Sequence, residues 1–381
     1  MNKRETMQAL LAGERLDTTP QWLISFTSMN LMKTLIPEEL HYEGYDDCPK
    51  VGAYPFSPMG SERLKSEIWF NRYIDRCAFP VGWGANAAFG HAGPGEFNKK
   101  VLDKQKDYIL VEYETGSKKE IRQHPYSMRT FDLPIQTEID LENLQLPDPE
   151  NSSRYAGFAE DVAWAKANGE WTVGWVNGFF SGVHYFLRDY AEFLVDLLLN
   201  SDFAKAMIEK LGIWTLTAAR KMCECGVDCI GLCDDLGSGQ SLLISPKLYR
   251  EFLWPWHKKI CDLVHDYNVV LHMHSHGAIL PILPDLAEAG IDIINPIDPD
   301  DHMPMEQVRQ AIGPNVVLCG GLNKHFFDWP KDQQVEHLRQ VVDHGRQLGP
   351  HILMDSGGIP LNVTRDWFDW FLAVSQEIRN A

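Results

Sequence analysis

The sequence contains no run of eighteen apolar residues, so it predicts no membrane-spanning helix. Its start, Met1-Asn2-Lys3-Arg4-Glu5-Thr6, is polar and lacks the apolar core of a secretory signal. Cysteine is sparse, with eight in 381 residues, which excludes a disulfide scaffold and suits a reducing, cytoplasmic setting. Basic excess is also missing: 35 Lys and Arg against 53 Asp and Glu leave a formal net charge of −18. That argues against nucleic acid or an anionic membrane surface as partner, because phosphate binding needs cations. No internal repeat or low-complexity tract is present, and no G-x-G-x-x-G follows the first candidate strand, which weakens a doubly wound dinucleotide-binding reading.

What is present changes character near residue 150. A short helix is expected over 4–12, ending in Gly13, and a strand over 20–26. Residues 38–135 are irregular and rich in Tyr, Gly and Pro, with a hairpin expected at 108–113 and 118–122 around Glu114-Thr115-Gly116-Ser117. Leu146-Pro147-Asp148-Pro149 closes this part. Beyond it, short apolar runs at 171–176, 228–232, 269–272, 291–295, 316–318 and 352–354 alternate with amphipathic stretches at 202–223, 246–267, 281–289, 305–312, 332–348 and 362–378. Such alternation predicts a parallel sheet covered by helices. With strands at 22–26 and near 67–73 the count reaches eight, that of a (β/α)8 TIM barrel, formed by residues 1–381 as one unit with an elaboration at about 38–150.

In such a barrel the chemistry collects at the carboxyl ends of the strands. Polar and Gly-rich strings follow almost every apolar run: Asn177-Gly178, Cys233-Asp234-Asp235, His272-Met273-His274-Ser275-His276-Gly277, Cys319-Gly320-Gly321 and Asp355-Ser356-Gly357-Gly358 among them. Side chains alternate along a strand, so His272, His274 and His276 would share one face, where two imidazoles can reach one divalent cation. Of Asp234 and Asp235, adjacent in sequence, one would face the mouth as ligand, base or orienting group. Asp355 could face the same mouth, and Cys319 could be a soft ligand. His184 or Tyr185 could be site residues within an aromatic run. Cys223, Cys225, Cys229 and Cys233 lack paired CxxC knuckles and read as packed thiols, and Trp254-Pro255-Trp256-His257 reads as helix packing.

Taken in order, these strings resemble the uroporphyrinogen decarboxylase-like superfamily, and within it the cobalamin-dependent methyltransferase branch. The matching residues are Asp234-Asp235-Leu236-Gly237, the string from Ile244 through Ser245-Pro246-Lys247-Leu248-Tyr249-Arg250 to Phe252, His274-Ser275-His276-Gly277, Leu283-Pro284-Asp285-Leu286, Asn295-Pro296, Gly320-Gly321 and Gly358-Ile359-Pro360. The resemblance implies a single TIM barrel and transfer of a methyl group between a corrinoid, supplied by a partner protein, and a small acceptor or donor. It also implies zinc, held in that branch by a His-x-Cys-Gly motif and a second Cys near the last strand. Here His274 keeps the first position, His276 replaces the first cysteine, and the second maps near Gly357. The ligand set implied for this chain is therefore His274, His276 and a carboxylate such as Asp355, with Asp234, Asp235 and Tyr185 as catalytic candidates. Loss of both thiolates would leave the zinc, or another divalent metal, more Lewis-acidic. The decarboxylase branch is the alternative, as is a non-catalytic ligand-binding barrel. Its enzymes hold a many-carboxylate tetrapyrrole with an Arg-rich loop, and Gln21-Trp22-Leu23-Ile24-Ser25-Phe26-Thr27 contains no arginine.

Overall fold

The computed structural model describes residues 1–23, 35–41, 61–81, 100–123, 126–356, 359 and 363–381. Its main sheet has eight parallel strands: β1 (Gln21–Trp22), β2 (Phe79–Pro80), β7 (Thr172–Asn177), β8 (Cys229–Cys233), β9 (Val270–His274), β10 (Ile293–Asn295), β11 (Val317–Gly321) and β12 (His351–Met354). Four further strands, β3 (Lys100–Lys104), β4 (Tyr108–Glu112), β5 (Lys118–Gln123) and β6 (Tyr126–Phe131), form a separate antiparallel meander. In the parallel sheet the order is β1-β12-β11-β10-β9-β8-β7-β2. A parallel bridge between Gln21 and Arg76, with Cys77 N–H donating to Gln21 O at 2.7 Å, joins the two ends. The sheet is thus closed, and the fold is a (β/α)8 barrel.

Alternation along the strands sorts the side chains into two cores. Val173 and Trp175, Cys229 and Cys233, Ile293, Val317 and Cys319, and Ile352 and Met354 fill the barrel with Trp22 and Cys77. Val176, Ile230, Leu232, Leu271, Met273, Ile294, Leu318 and Leu353 face the surrounding helices. Gly231 leaves space for the Trp175 ring, since a Cβ there would lie 2.3 Å from it. The helix Lys3–Leu11 begins in a capping box in which Asn2 accepts from Glu5 N–H, and it places Met7 and Leu10 in the barrel core, closing the N-terminal end.

Two expectations need correction. Residues 67–73 are not a strand but part of the helix Ser61–Tyr73, whose buried Leu64 and Ile68 are four apart, the spacing of a helix face. The missing strand is β2, two residues long with a proline in it. The amphipathic stretch 246–267 is also two helices, Pro246–Phe252 and Trp254–Asp266, because Pro255 can open a helix but not continue one. The expected hairpin forms, as β4 and β5. The seven described cysteines are free thiols, and no described helix is long and apolar enough to cross a membrane.

Candidate active site

At the C-terminal end of the barrel, Asn177, Cys233, His274 and Asn295 stand on one hydrogen-bonded rung of four consecutive strands. Asn177 pairs with Cys233, Cys233 with His274, and Asn295 with His274. Two residues past Cys233 the chain carries Asp235, whose Oδ1 accepts from His276 N–H at 2.9 Å. The Cys233 thiol, an Asp235 carboxylate oxygen and a His274 ring nitrogen lie within 4.8 Å of one another. The His274 Nε2 to Asp235 Oδ1 distance is 3.8 Å. Burial, then the nearby Asp235 and Asp234 charges, push the Cys233 thiol well up, so without a cation it keeps its proton.

These three side chains fit a divalent metal. They offer one soft sulfur, one imidazole nitrogen and one carboxylate oxygen, a donor set that suits zinc, and three protein ligands leave a position open for substrate. Two of the three are anionic when ligating. On a bound cation, Cys233 and Asp235 of the neighbouring strand would restore the anionic character that the missing motif cysteines take away.

Asp234, adjacent in sequence, does different work. Its carboxylate is wholly buried and accepts from the N–H groups of Phe179 (3.1 Å), Phe180 (3.0 Å) and Ser181 (2.7 Å), and it meets His257 Nε2 at 3.0 Å. His257 in turn pairs through Nδ1 with Tyr249 Oη at 3.0 Å. Gly178 makes room for this arrangement, since a Cβ there would lie 2.1 Å from Asp234. Asp234 thereby ties the turn after β7 to the end of β8, and Asp235 N–H donates to Ser181 Oγ at 2.8 Å within the same knot. His257, expected to be packing, is part of this buried chain.

The other candidates are spread around the mouth. The His276 ring is half-buried, with its centroid 4.8 Å from that of His274, edge to face, and lies outside the three-donor group. Asp355 is fully buried just past β12 and adds to the upward push on the buried Cys319 thiol, and it too lies outside that group. Cys319 Sγ contacts Met354 Sδ at 3.1 Å. Tyr185 packs with its ring 4.9 Å from Lys119 Nζ and 4.4 Å from the His184 ring, beside the antiparallel sheet. Residues 24–26 of the expected first strand, and Gly357, Gly358 and Pro360, lie outside the described residues. Sequence reasoning did not single out Cys233 as a candidate ligand. The signal was there: Cys233 and Asp235 have the same two-residue spacing at a strand end that drew attention to the histidines.

The chain matches the family described as Uroporphyrinogen decarboxylase (URO-D) over residues 110–378. The protein belongs to the uroporphyrinogen decarboxylase family. Among relatives, the uroporphyrinogen decarboxylase of Geobacter metallireducens is 22% identical over 236 residues, 60% of this chain and 67% of the relative. The methylcobamide:CoM methyltransferase MtbA of Methanosarcina mazei is 24% identical over 155 residues, 39% of this chain and 43% of that protein. Among solved structures, a methyltransferase from Methanosarcina mazei superposes with a TM-score of 0.69 at 15% identity, covering 100% of this chain and 98% of that one. At that identity the superposition speaks for the fold, not for a reaction. The relatives thus carry names of both chemistries, and the site has to decide between them.

Proposed function

We propose that this family member is a methyltransferase, moving a methyl group between a corrinoid carried by a partner protein and a small acceptor or donor, with zinc held by Cys233, Asp235 and His274. The observation that carries this reading is the convergence of those three donors at the barrel mouth. A zinc ion bound there supplies Lewis acidity, which keeps a coordinated acceptor such as a thiol in its deprotonated, nucleophilic form. The chain's own residues do the rest. His274 and Asp235 are fixed by the rung and by the backbone of His276, so the site needs little rearrangement to receive a cation. His276, whose ring packs edge to face against that of His274, and the buried acid Asp355 just past β12 would assist from outside the three-donor group. Tyr185, on the side of the antiparallel sheet, would act on the bound partner or substrate rather than on the metal.

Porphyrinogen decarboxylation fits less well. A substrate with many carboxylates calls for a cluster of cations, whereas residues 21–27 contain none and the chain as a whole carries a charge of −18. Metal analysis and optical monitoring of methylcobalamin demethylation, with thiols as acceptors, test the proposal together. The expected result is one zinc per chain and acceptor-dependent demethylation, with both lost in Cys233→Ser and His274→Ala, activity by about 100-fold or more. An active metal-free protein, or carbon dioxide release from a carboxylated substrate, would overturn it.

A further inference from the structure

Asn177 has no task in the chemistry above, yet it is a wholly buried carboxamide with neither Nδ2 nor Oδ1 hydrogen-bonded. It ends β7, and alternation puts it on the inner side of the barrel with Val173 and Trp175. Its backbone is held firmly: Asn177 pairs with Cys233 on the rung, and Gly178 N–H donates to Cys233 O at 2.7 Å. The helix Ser181–Phe186 packs close by, since a Cβ on Gly182 would lie 3.6 Å from Asn177 Cβ. The other carboxamide of the rung is used differently. Asn295 spends its Nδ2 on His274 Nδ1 at 3.0 Å, and so has a structural reason to be there. Within the protein alone Asn177 has none. A buried polar group without a partner weakens a fold, and its place is explained by something that completes it.

Its place is beside the three donors, and this inference rests on the methyltransferase reading given for them. Neighbouring strands lie about 4.8 Å apart, so Asn177 stands one strand spacing from Cys233, on the same rung as Cys233 and His274. A small molecule whose sulfur takes the open metal position reaches this side chain through roughly two or three carbon atoms. What it carries at that point follows from the two unspent atoms. Nδ2 donates and Oδ1 accepts, side by side. A carboxylate only accepts and would leave Oδ1 unspent. An ammonium only donates and would leave Nδ2 unspent, and an alkyl end would leave both. A carboxamide presents an N–H and a C=O at the matching spacing and satisfies both atoms at once. We propose that Asn177 is a specificity residue, which receives an uncharged carboxamide carried on a short link by the thiol that accepts the methyl group.

Mercaptopropionamide, mercaptopropionate and butanethiol, thiols of similar length, separate these cases. With zinc-loaded full-length protein and methylcobalamin, the amide is expected to give a kcat/KM about 10- to 100-fold above those of the other two. In Asn177→Leu, a change of similar volume, that preference should disappear, while zinc content stays as in the wild type and resistance to urea does not fall. Equal use of the three thiols by the zinc-loaded wild type overturns the proposal and leaves the methyltransferase reading standing. A preference that survives in Asn177→Leu does the same. If the protein takes up no zinc or demethylates nothing, the methyltransferase reading falls instead, and metal-free protein labelled at asparagine nitrogen decides the carboxamide site. The Asn177 side-chain amide signals, identified by their loss in Asn177→Leu, should shift saturably with propionamide and not with propionate. Signals that stay in place, as for a side chain completed by buried water only, overturn the site.

Discussion

Polar groups are handled in opposite ways at the two ends of this barrel. At the closed N-terminal end, acids are matched several times over. Asp228 meets Arg4 at 3.0 Å and Lys166 at 3.1 Å, and also accepts from Thr172 N–H and Oγ. Glu170 takes Arg72 at 2.8 Å and Asn71 at 2.9 Å. Asp75 takes Lys3 and Arg379; burial pushes its carboxyl up, but the two cations outweigh this and hold it below the usual range. At the mouth the acid Asp234 is matched as fully, but neutral groups near it are not. Asn177 is fully buried with neither amide atom bonded, Asn295 has an unbonded oxygen, and His272, deeper in the barrel, has two unbonded nitrogens. Buried groups without partners are rare in folded proteins and mark places where something else completes them. Saturation at one end serves stability; its absence at the other leaves room for chemistry.

The widest contrast should be with pH. His272, in the barrel interior, and His351, at the start of β12, are both held neutral by burial, with pKa values lowered to about 3 and about 4. The unfolded chain takes up these protons near pH 6.5, while the folded one resists until much lower pH. Their contribution is therefore complete above about 6.5 and lost as pH falls towards 4, by up to about 1.4 kcal/mol per pH unit for each ring. Urea unfolding at pH 7, 5.5 and 4.5 should show this loss, and His272→Gln or His351→Gln should each flatten it. A stability that does not change over that range would mean the rings are not held neutral.

Next in size is the closed end itself. Asp228→Ala leaves the buried Thr172 donors without an acceptor and takes the partner from two half-exposed cations, and should cost about 2 kcal/mol. Zinc uptake should stay unchanged, because the residue is at the far end of β8 from Cys233. Loss of metal in this variant at temperatures where it is folded would break the division of labour between the ends. The smallest effect is expected at the helix that closes the barrel: Asn2→Ala removes the half of the capping box made by the Asn2 side chain, leaves the backbone N–H of residue 2 on Glu5, and should cost about 1 kcal/mol in thermal or denaturant unfolding.

The sequence was legible where one signal spoke alone. The helix Met305–Ile312 has the bounds that its periodicity predicts, and the six apolar runs after residue 150 are all barrel strands. It misled where composition and periodicity disagreed: Ile68, Trp69, Phe70 and Tyr73 look like a strand by residue type, but the four-residue spacing of Leu64 and Ile68 is helical. A two-residue strand such as Phe79–Pro80 has too little pattern to be seen at all. At the site, His274 was legible from alternation along its own strand. Its partnership with Cys233 was not, because it depends on the register between β8 and β9, which joins residues 41 apart. Asn295 as the neighbour of the His274 imidazole depends on register in the same way.

The rung that carries Asn177, Cys233, His274 and Asn295 is an arc of interchangeable posts on four of the eight strands. Each post is held by its neighbours' backbones, so swapping which residue type stands on which post leaves the frame untouched. A donor given up at one point of the circumference can be regained next door by a single codon change. Reactive centres in such cylinders are then free to drift sideways over evolutionary time, and a familiar motif with its thiols gone need not mean that the cation went with them.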